Sequence, residues 1–556
     1  MTQNDVSTEP AADKAVQGKS RASWHWAWLL VALIIAFVVI IRIRLLDFPL
    51  ERDEGELAYA GQLMLQGVPP YKLAYHMKLP GAYGAYALFL ALLGQTQAAV
   101  HWGLLLINAS TIIVIYLLGS RLFGRLAGVV ACASYGLLSL SPSVLGFSAH
   151  TEHFVVLPAL GGILLLLKAI ETGRVWWYFG SGVLVGLAFL MKQHGMVFVV
   201  FGALYFIWSE WRKSEIDWRG AVAGGGAYSL GAVLPFALTC LVLYASGVFD
   251  KFWFWTFSYA RQYATSLSIQ DGFQIFLQNT TAVIGSSALI WALAGVGLIS
   301  FSWDRERRDH AAFAIAFLIL SFIGVCPGFY FRSHYFILML PAVSLLAGLG
   351  VSSARRYLMQ RGNWAPWAAG PVLLFLVAFG YAVLQQKEFF FKMDPRMASR
   401  VIYGGNPFPE SLEIGKYIRE HSDPGARIAV IGSEPQIYFY SGRRSVTGYV
   451  ITYGLMEKQK YALLMQKEMI AEIEGGRPEY VVFVNVATSW LPGPGSEKLI
   501  FAWADQYIGS QYDREGLIDI LSKSQTEYRW GEDAKGYQPR SQYYLQVFRR
   551  KTSSDR

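Results

Sequence analysis

Long apolar runs recur through the first two thirds of the chain, and no other feature constrains its fold as strongly. Eleven of them read as helical spans: residues 24–44, 97–119, 126–141, 154–171, 176–191, 195–211, 221–246, 282–301, 311–327, 335–351 and 367–385. A bilayer core of about 30 Å is crossed by roughly 20 apolar residues in a helix. In lipid a segment must satisfy its own backbone groups, which helices do. The chain is 54% hydrophobic and only 16% charged, against about a quarter charged in soluble domains. The expected fold class is an α-helical polytopic membrane protein with about eleven transmembrane helices and a C-terminal extracytoplasmic α/β domain.

The net charge of +9 invites a nucleic-acid partner, but its distribution argues against one. Lys and Arg cluster in short loops at Arg121 and Arg125, Lys168 and Arg174, Arg212 to Arg219, Arg305 to Arg308, and Arg355 to Arg361. With the N-terminus inside, each of these loops faces the cytoplasm, as the positive-inside rule requires. The apolar stretch 81–93 is too short for a span and is expected to be re-entrant or interfacial. Counting it as a span would turn every basic cluster outward. An odd span count then puts everything after about residue 385 outside. The expected organisation is a cytoplasmic tail (1–23), a transmembrane domain (24–385) whose first outer loop covers 45–96, and an extracytoplasmic domain (386–556). This describes a multi-pass plasma-membrane (inner-membrane) protein. Lys14, Lys19 and Arg21 before the first run imitate a signal peptide, but the run is long and lacks a small-residue cleavage site. The three cysteines all lie in apolar runs, so no disulfide framework supports the C-terminal domain.

That domain alternates short apolar runs with a helical pattern. Asp423-Pro424-Gly425 is a turn, 427–432 a buried strand, 453–474 a helix ended by Gly475-Gly476, and 480–485 a second strand. Strand, helix, strand implies a parallel pair joined by a crossover. An alternating stretch at 543–549 adds a last strand.

Chemistry concentrates in the first outer loop. Glu51, Arg52, Asp53, Glu54 and Glu56 follow directly on the first span; then come a stretch expected to lie along the membrane surface, Gly67-Val68-Pro69-Pro70-Tyr71, and Lys78-Leu79-Pro80. Charges after a span often only solvate a loop. These sit at the bilayer boundary, where ionised groups are costly and tend to serve function. A second outer loop carries His150, Glu152 and His153, a third Lys192 and His194, and a later one Arg332 and His334. The spacing of His150, Glu152 and His153 is not that of a metal-binding helix, so no metal ligand is assigned; a divalent metal remains the alternative. Arg42 and Arg44 run against the charge rule and suit either a lipid phosphate or headgroup anchoring. Phe252-Trp253-Phe254-Trp255 suits the membrane interface.

The ordered set of first span, Asp53-Glu54, amphipathic helix, Gly-x-x-Pro-Tyr, Lys78-x-Pro80 and weakly apolar helix resembles the GT-C superfamily of integral membrane glycosyltransferases. The branch it resembles holds the protein O-mannosyltransferases and the bacterial aminoarabinose and galacturonosyl transferases (glycosyltransferase family 39-like). The resemblance covers about residues 24–385. Many relatives have Lys-Pro-Pro where this chain has Lys78-Leu79-Pro80.

The resemblance implies inverting transfer from a polyprenyl-phosphate sugar to an acceptor hydroxyl on a lipid, glycan or protein, with membrane lipid as surroundings, no cofactor assigned and a divalent metal left open. Asp53 would be the general base. Glu54 would raise its proton affinity or hold sugar hydroxyls, pairing with Arg52 or Lys78 being the bland alternative. Lys78 would contact the phosphate, with Arg332, His334 and Lys192 in support, and His150 and Glu152 would line the cavity. The C-terminal domain would bind or screen the acceptor. A transporter or flippase of lipid-linked sugars would instead need ionisable residues in mid-span and paired repeats. A surface-polysaccharide polymerase would carry a large loop in mid-chain, and a non-enzymatic assembly protein would leave the loop acids merely solvated.

Overall fold

The computed structural model describes residues 11–265 and 267–551, with side chains from His25 onward. The first ten residues of the expected tail lie outside the described residues; from Ala11 the chain is helical. In chain order the principal helices are α1 (Ala11–Arg44), α2 (Arg52–Leu65), α3 (Pro80–Leu93), α4 (Gln97–Phe123), α5 (Arg125–Leu138), α6 (Thr151–Thr172) and α7 (Val175–Met191). They continue with α8 (Met196–Trp211), α9 (Trp218–Ala245), α10 (Ile269–Gly285), α11 (Ala288–Ser300), α12 (Ala311–Ile323), α13 (Leu340–Gln360) and α14 (Gly370–Gln385).

Every expected span meets a helix, but the lengths differ. Among the described residues six helices are long and apolar enough to cross a membrane, or seven if α10 and α11 are one broken span. Those two form the run expected as a single helix over 282–301, and they meet at 101°. The break falls at Gly285-Ser286-Ser287, where small polar residues interrupt the backbone ladder. Segment 335–351 begins instead as a tight turn over Ser333–Leu338, and α13 then starts at Leu340 with Pro341 in its first turn.

α2 departs most from expectation. It does not lie along a surface: Leu57, Ala58, Tyr59 and Leu63 are all buried. One side meets α3, where Gly61 lies against the Ala87 backbone; the other meets the helix Gln436–Ser441, where a side chain at Gly55 would strike Gln436. The two odd arginines are also internal. Arg42 donates to Asn108 Oδ1 (3.2 Å) and to the carbonyls of Ser139 (3.3 Å) and Gly146 (2.9 Å). Arg44 donates to the carbonyls of Phe389 (2.6 Å), Phe390 (2.8 Å) and Met393. Both donate to backbone carbonyls within the fold, Arg42 buried and Arg44 half-buried, which gives each a structural use.

The C-terminal part carries a six-stranded sheet of β1 (Arg427–Ile431), β2 (Arg444–Ser445), β3 (Tyr480–Asn485), β4 (Tyr512–Ile520), β5 (Thr526–Trp530) and β6 (Tyr544–Arg550), in the order β2-β1-β3-β6-β4-β5. β1 pairs in parallel with β3, as expected, and also with β2, a strand the sequence pattern does not announce, while β3–β6, β6–β4 and β4–β5 are antiparallel. The helix expected over 453–474 is split into Tyr453–Met456 and Ala462–Gly476. Gln459 holds the gap open by donating to the Gly454 carbonyl (2.8 Å) and accepting from the Tyr461 amide (2.6 Å).

A buried ion pair joins the sheet domain to the start of α2. Arg52 reaches Glu434 at 3.0 Å and the Ser433 carbonyl at 2.6 Å. Its guanidinium lies over the Phe408 and Tyr453 rings. Glu434→Ala strands that cation among apolar groups and should cost about 3–5 kcal/mol. Thermal unfolding in detergent checks this; an unchanged melting temperature would overturn it.

Candidate active site

A cavity of about 440 Å³ opens between the outer loops and the segment 451–457 of the sheet domain. Asp53 and Glu457 bring carboxyl groups, Lys78, Lys192 and Arg332 cations, His76 and His334 imidazoles, and Tyr259, Tyr263, Tyr335 and Tyr453 aromatic walls. Four of the expected site residues thus share one space with Asp53, although the sequence scatters them over some 280 positions.

Local structure explains Asp53. Glu51 caps α2 by accepting from the Glu54 amide (2.9 Å), and Glu54 accepts in return from the Glu51 amide (3.2 Å). This reciprocal box fixes the first helical turn, and Asp53, a third exposed, faces the cavity from it. Its Oδ1 lies 3.0 Å from Lys78 Nζ. Lys78 is positioned by the chain that follows: Leu79 is the extended cap residue of α3, and Pro80 opens that helix. The Leu in place of the relatives' first Pro therefore costs no turn geometry, since Pro80 already supplies the fixed φ of a first helical residue.

Glu54 departs from expectation. It is fully buried and faces away from the cavity. Its carboxylate accepts from the Ala149 amide (2.5 Å) and lies 3.1 Å from His101 Nε2. It pairs with neither Arg52 nor Lys78 and touches no cavity surface. The carboxylate that does meet Lys78 is Glu56, at 2.5 Å, with the Tyr83 hydroxyl donating to its other oxygen at 2.8 Å. Glu56 stands three residues from Asp53, on the same side of a helix, and that spacing was the available signal. His101, in the first turn of α4, gave none.

His150 and Glu152 stand behind the wall, since α6 begins at Thr151 and turns both inward. His150 stacks on His334 at 4.1 Å between ring centres. Glu152 is fully buried and binds Lys192; His334 Nε2 lies 3.9 Å from the same oxygen. Lys192 also lies over the Tyr335 ring at 4.3 Å. Arg332 differs from the other cavity cations: among the described residues no carboxylate lies within 4 Å of it, and it donates to the Tyr263 hydroxyl at 3.0 Å. The aromatic patch is divided, with Trp253 half exposed while Phe252 and Trp255 are buried and Trp255 lines the cavity. Glu457, exposed to the cavity by the break after Met456, accepts from the Tyr259 hydroxyl at 2.6 Å.

Burial works against charge throughout this region, and the partners decide the outcome. For Asp53, burial is the largest single influence and pushes up, but Lys78 and the surrounding imidazoles together hold the carboxyl well below its ordinary 3.8. Lys78 is pushed up in turn by Asp53 and Glu56. The expected rise in Asp53 proton affinity from Glu54 is therefore reversed. The rise falls instead on Glu51, where burial, Asp53 and Glu54 act together. Burial depresses His76 and His150, and His334 further, below the ordinary 6.5. These rings are neutral at pH 7, with lone pairs free to bind.

Asp53, His150 and His334 each place a ligand atom within 4.8 Å of the others. The buried Nε2 of His150 and Nδ1 of His334 have no hydrogen-bond partner. One carboxylate and two neutral imidazoles with unused nitrogens fit a divalent cation such as zinc.

Residues 80–238 match the model of the dolichyl-phosphate-mannose-protein mannosyltransferase family. No curated protein matches the sequence. Among solved structures, ArnT from Cupriavidus metallidurans bound to undecaprenyl phosphate is similar at 16% identity, over 94% of this chain and 98% of that one, with a TM-score of 0.54. Its apo state is similar at 14% identity, over 95% and 98%, with a TM-score of 0.55. The oligosaccharyltransferase AglB from Archaeoglobus fulgidus, in complex with an inhibitory peptide and a dolichol-phosphate, is similar at 11% identity, over 92% and 75%, with a TM-score of 0.52. The chain is a multi-pass membrane protein with the GT-C fold.

Zinc added to the purified, chelator-treated protein should bind at about one equivalent. His150→Ala combined with His334→Ala should abolish that binding. Equal zinc content in wild type and variant, measured by elemental mass spectrometry, would remove the cluster as a metal centre.

Proposed function

We propose that the chain transfers a sugar from a polyprenyl-phosphate-linked donor to an acceptor hydroxyl, with inversion, at the outer face of the plasma membrane. The observation that carries this reading is the placement of Asp53 in one cavity with Lys78, Lys192 and Arg332. A carboxylate that can take a proton thus faces the same space as three cations that can receive a phosphate. ArnT and AglB, similar in fold, are described with undecaprenyl phosphate and dolichol-phosphate, which supports the donor class. AglB is also described in complex with zinc and sulfate, at 12% identity and a TM-score of 0.51. The donor and acceptor would meet between the transmembrane part (24–385) and the sheet domain (386–556).

In this reading the acceptor oxygen attacks the anomeric carbon from the face opposite the phosphate, and its proton passes to Asp53. The bond from the anomeric carbon to the phosphate oxygen breaks, and its electron pair stays on that oxygen. The phosphate charge grows from one to two, so cations placed at the phosphate are worth more in the transition state than before it. Arg332 is the first of these, because no carboxylate competes for it. Lys192 is tied to Glu152, and Lys78 to two carboxylates. A divalent ion at Asp53, His150 and His334 would add Lewis acidity at the acceptor oxygen.

Held below its ordinary value, Asp53 is a weak base until Lys78 lets go. An arriving phosphate draws Lys78 away, and Glu56 keeps the lysine in the cavity while it moves. Asp53 regains basicity only with donor in place, and as it takes the proton its own attraction for Lys78 falls.

The test incubates purified protein with a panel of polyprenyl-phosphate sugars and measures released polyprenyl phosphate. Asp53→Asn should lower kcat by roughly 10²–10⁴; release from every donor unaffected by this change would reject the reading. The pH profile adds a signed expectation. The active form is the carboxylate, present above the pKa of Asp53 and lost as pH falls through it. The acid limb of kcat/KM, which reports the free enzyme, should therefore lie at lower pH than that of kcat, which reports the donor complex. Coincident limbs would remove the exchange of Lys78.

A further inference from the structure

At the end of the bundle that carries the arginine-rich segments 302–310 and 355–361, a second cavity of about 350 Å³ is cut into the side of the spans. It lies between α11, α13, α14 and the turn Gly362–Ala369. Leu293, Val296, Val351, Leu358, Leu374 and the rings of Trp364 and Trp367 form its walls, with no charged residue among them. The floor is deep because glycines bring helices together: a side chain at Gly350 would strike the Leu293 carbonyl at 2.4 Å. The two tryptophans are 55% and 66% exposed, as interfacial rings are.

The cations beside the groove fall into two sets. Arg307 and Arg356 are used internally: Arg307 donates to Ser352 (2.5 Å) and Ser353 (3.0 Å), and Arg356 binds Asp304 (2.5 Å) and Glu306. Arg355 and Arg361 are exposed, and among the described residues neither has a carboxylate within 4 Å. Arg355 directly follows Ala354, a groove residue, and Arg361 lies between Leu358 and Trp364, two more. Arg361 lies over the Tyr357 ring at 4.9 Å, which leaves its edge free for oxygen ligands.

We propose that this groove is a binding site for one anionic phospholipid, its acyl chain between α11, α13 and the two tryptophans and its phosphate on Arg355 and Arg361. The apolar walls match a hydrocarbon chain, and the two unneutralised arginines at one end match an anion held at headgroup level. A zwitterionic lipid would fill the walls equally well but would set its own cation against the arginines. The site is separate from the cavity around Asp53 and does not depend on the reaction assigned there.

The test uses the full chain, delipidated in mild detergent and given phosphatidylglycerol or phosphatidylcholine, with retained lipid read by native mass spectrometry. Wild type should retain phosphatidylglycerol over phosphatidylcholine by at least roughly tenfold. Arg355→Gln with Arg361→Gln should remove the preference. Ala354→Phe, which fills the groove without changing charge, should remove retention of phosphatidylglycerol. Equal retention of both lipids by wild type, or undiminished retention by a folded Ala354→Phe protein, would overturn the proposal. If Ala354→Phe fails to fold, the double arginine variant decides, since it changes only exposed side chains: a preference that survives it overturns the site.

Discussion

The carboxylate of Glu54 is the joint on which the arrangement turns. It accepts from the Ala149 amide and the Glu51 amide and lies against His101, whose other nitrogen is 2.8 Å from the Leu46 carbonyl. The first turn of α2, the first turn of α4, the end of α1 and the approach to α6 therefore converge on one buried anion. An ionised carboxylate only accepts, so it is stable inside a protein where several donors already point at it. Moving any of these elements leaves a donor or the anion unpaired. Asp53 precedes this residue and His150 follows the amide it receives, so the spacing of the two groups that face each other across the site is a consequence of Glu54.

Around that joint, charge is organised by depth. Glu152 with Lys192, and Arg52 with Glu434, are closed pairs that tie elements together at the cost of their own availability. Asp53, Lys78 and Glu56 form an open set, with one cation between two anions, so the lysine can exchange one contact without losing both. Arg332 donates to a phenol and, among the described residues, has no carboxylate within 4 Å. The guanidinium is tolerable there because the Tyr263 hydroxyl accepts from it and the Tyr330 ring supplies a π-face.

The sequence made visible what depends on periodicity and on covalent neighbours. Apolar runs located a helix at each expected span, 480–485 matched β3 residue for residue, and Asp53 with Lys78 emerged from the ordered loop. It hid what depends on the third dimension. Nothing along the chain says that Glu54, beside Asp53, turns to His101 while Glu56, equally buried, turns to Lys78 on the side of Asp53; helical geometry puts residues three apart on one side and adjacent residues on different ones. α2 read as a surface helix because its small residues, Gly55 and Gly61, look polar enough for water, whereas they are contact points for Gln436 and Ala87. β4 and β5 lack the uninterrupted apolar core of β3, since they lie toward the sheet edge and are only partly covered.

The break between the helices at Tyr453 and Ala462 links the sheet domain to the chemistry. Had 453–474 run as one helix, Glu457 would have been carried on its wall. Instead the chain is extended at Glu457, and its carboxylate meets Tyr259 of the outer loop. Tyr453, at the start of the same segment, lies under the Arg52 guanidinium and at the same time lines the cavity. The residue that locks the domain in place is thus also a wall of the site, one position away from Asp53 through Arg52. Displacing the domain removes the stacking surface of Arg52, the partner of Tyr259 and part of the cavity wall in one movement. Assembly of the cavity is then a property of the docked molecule, and the sheet domain takes part in the site through that docking.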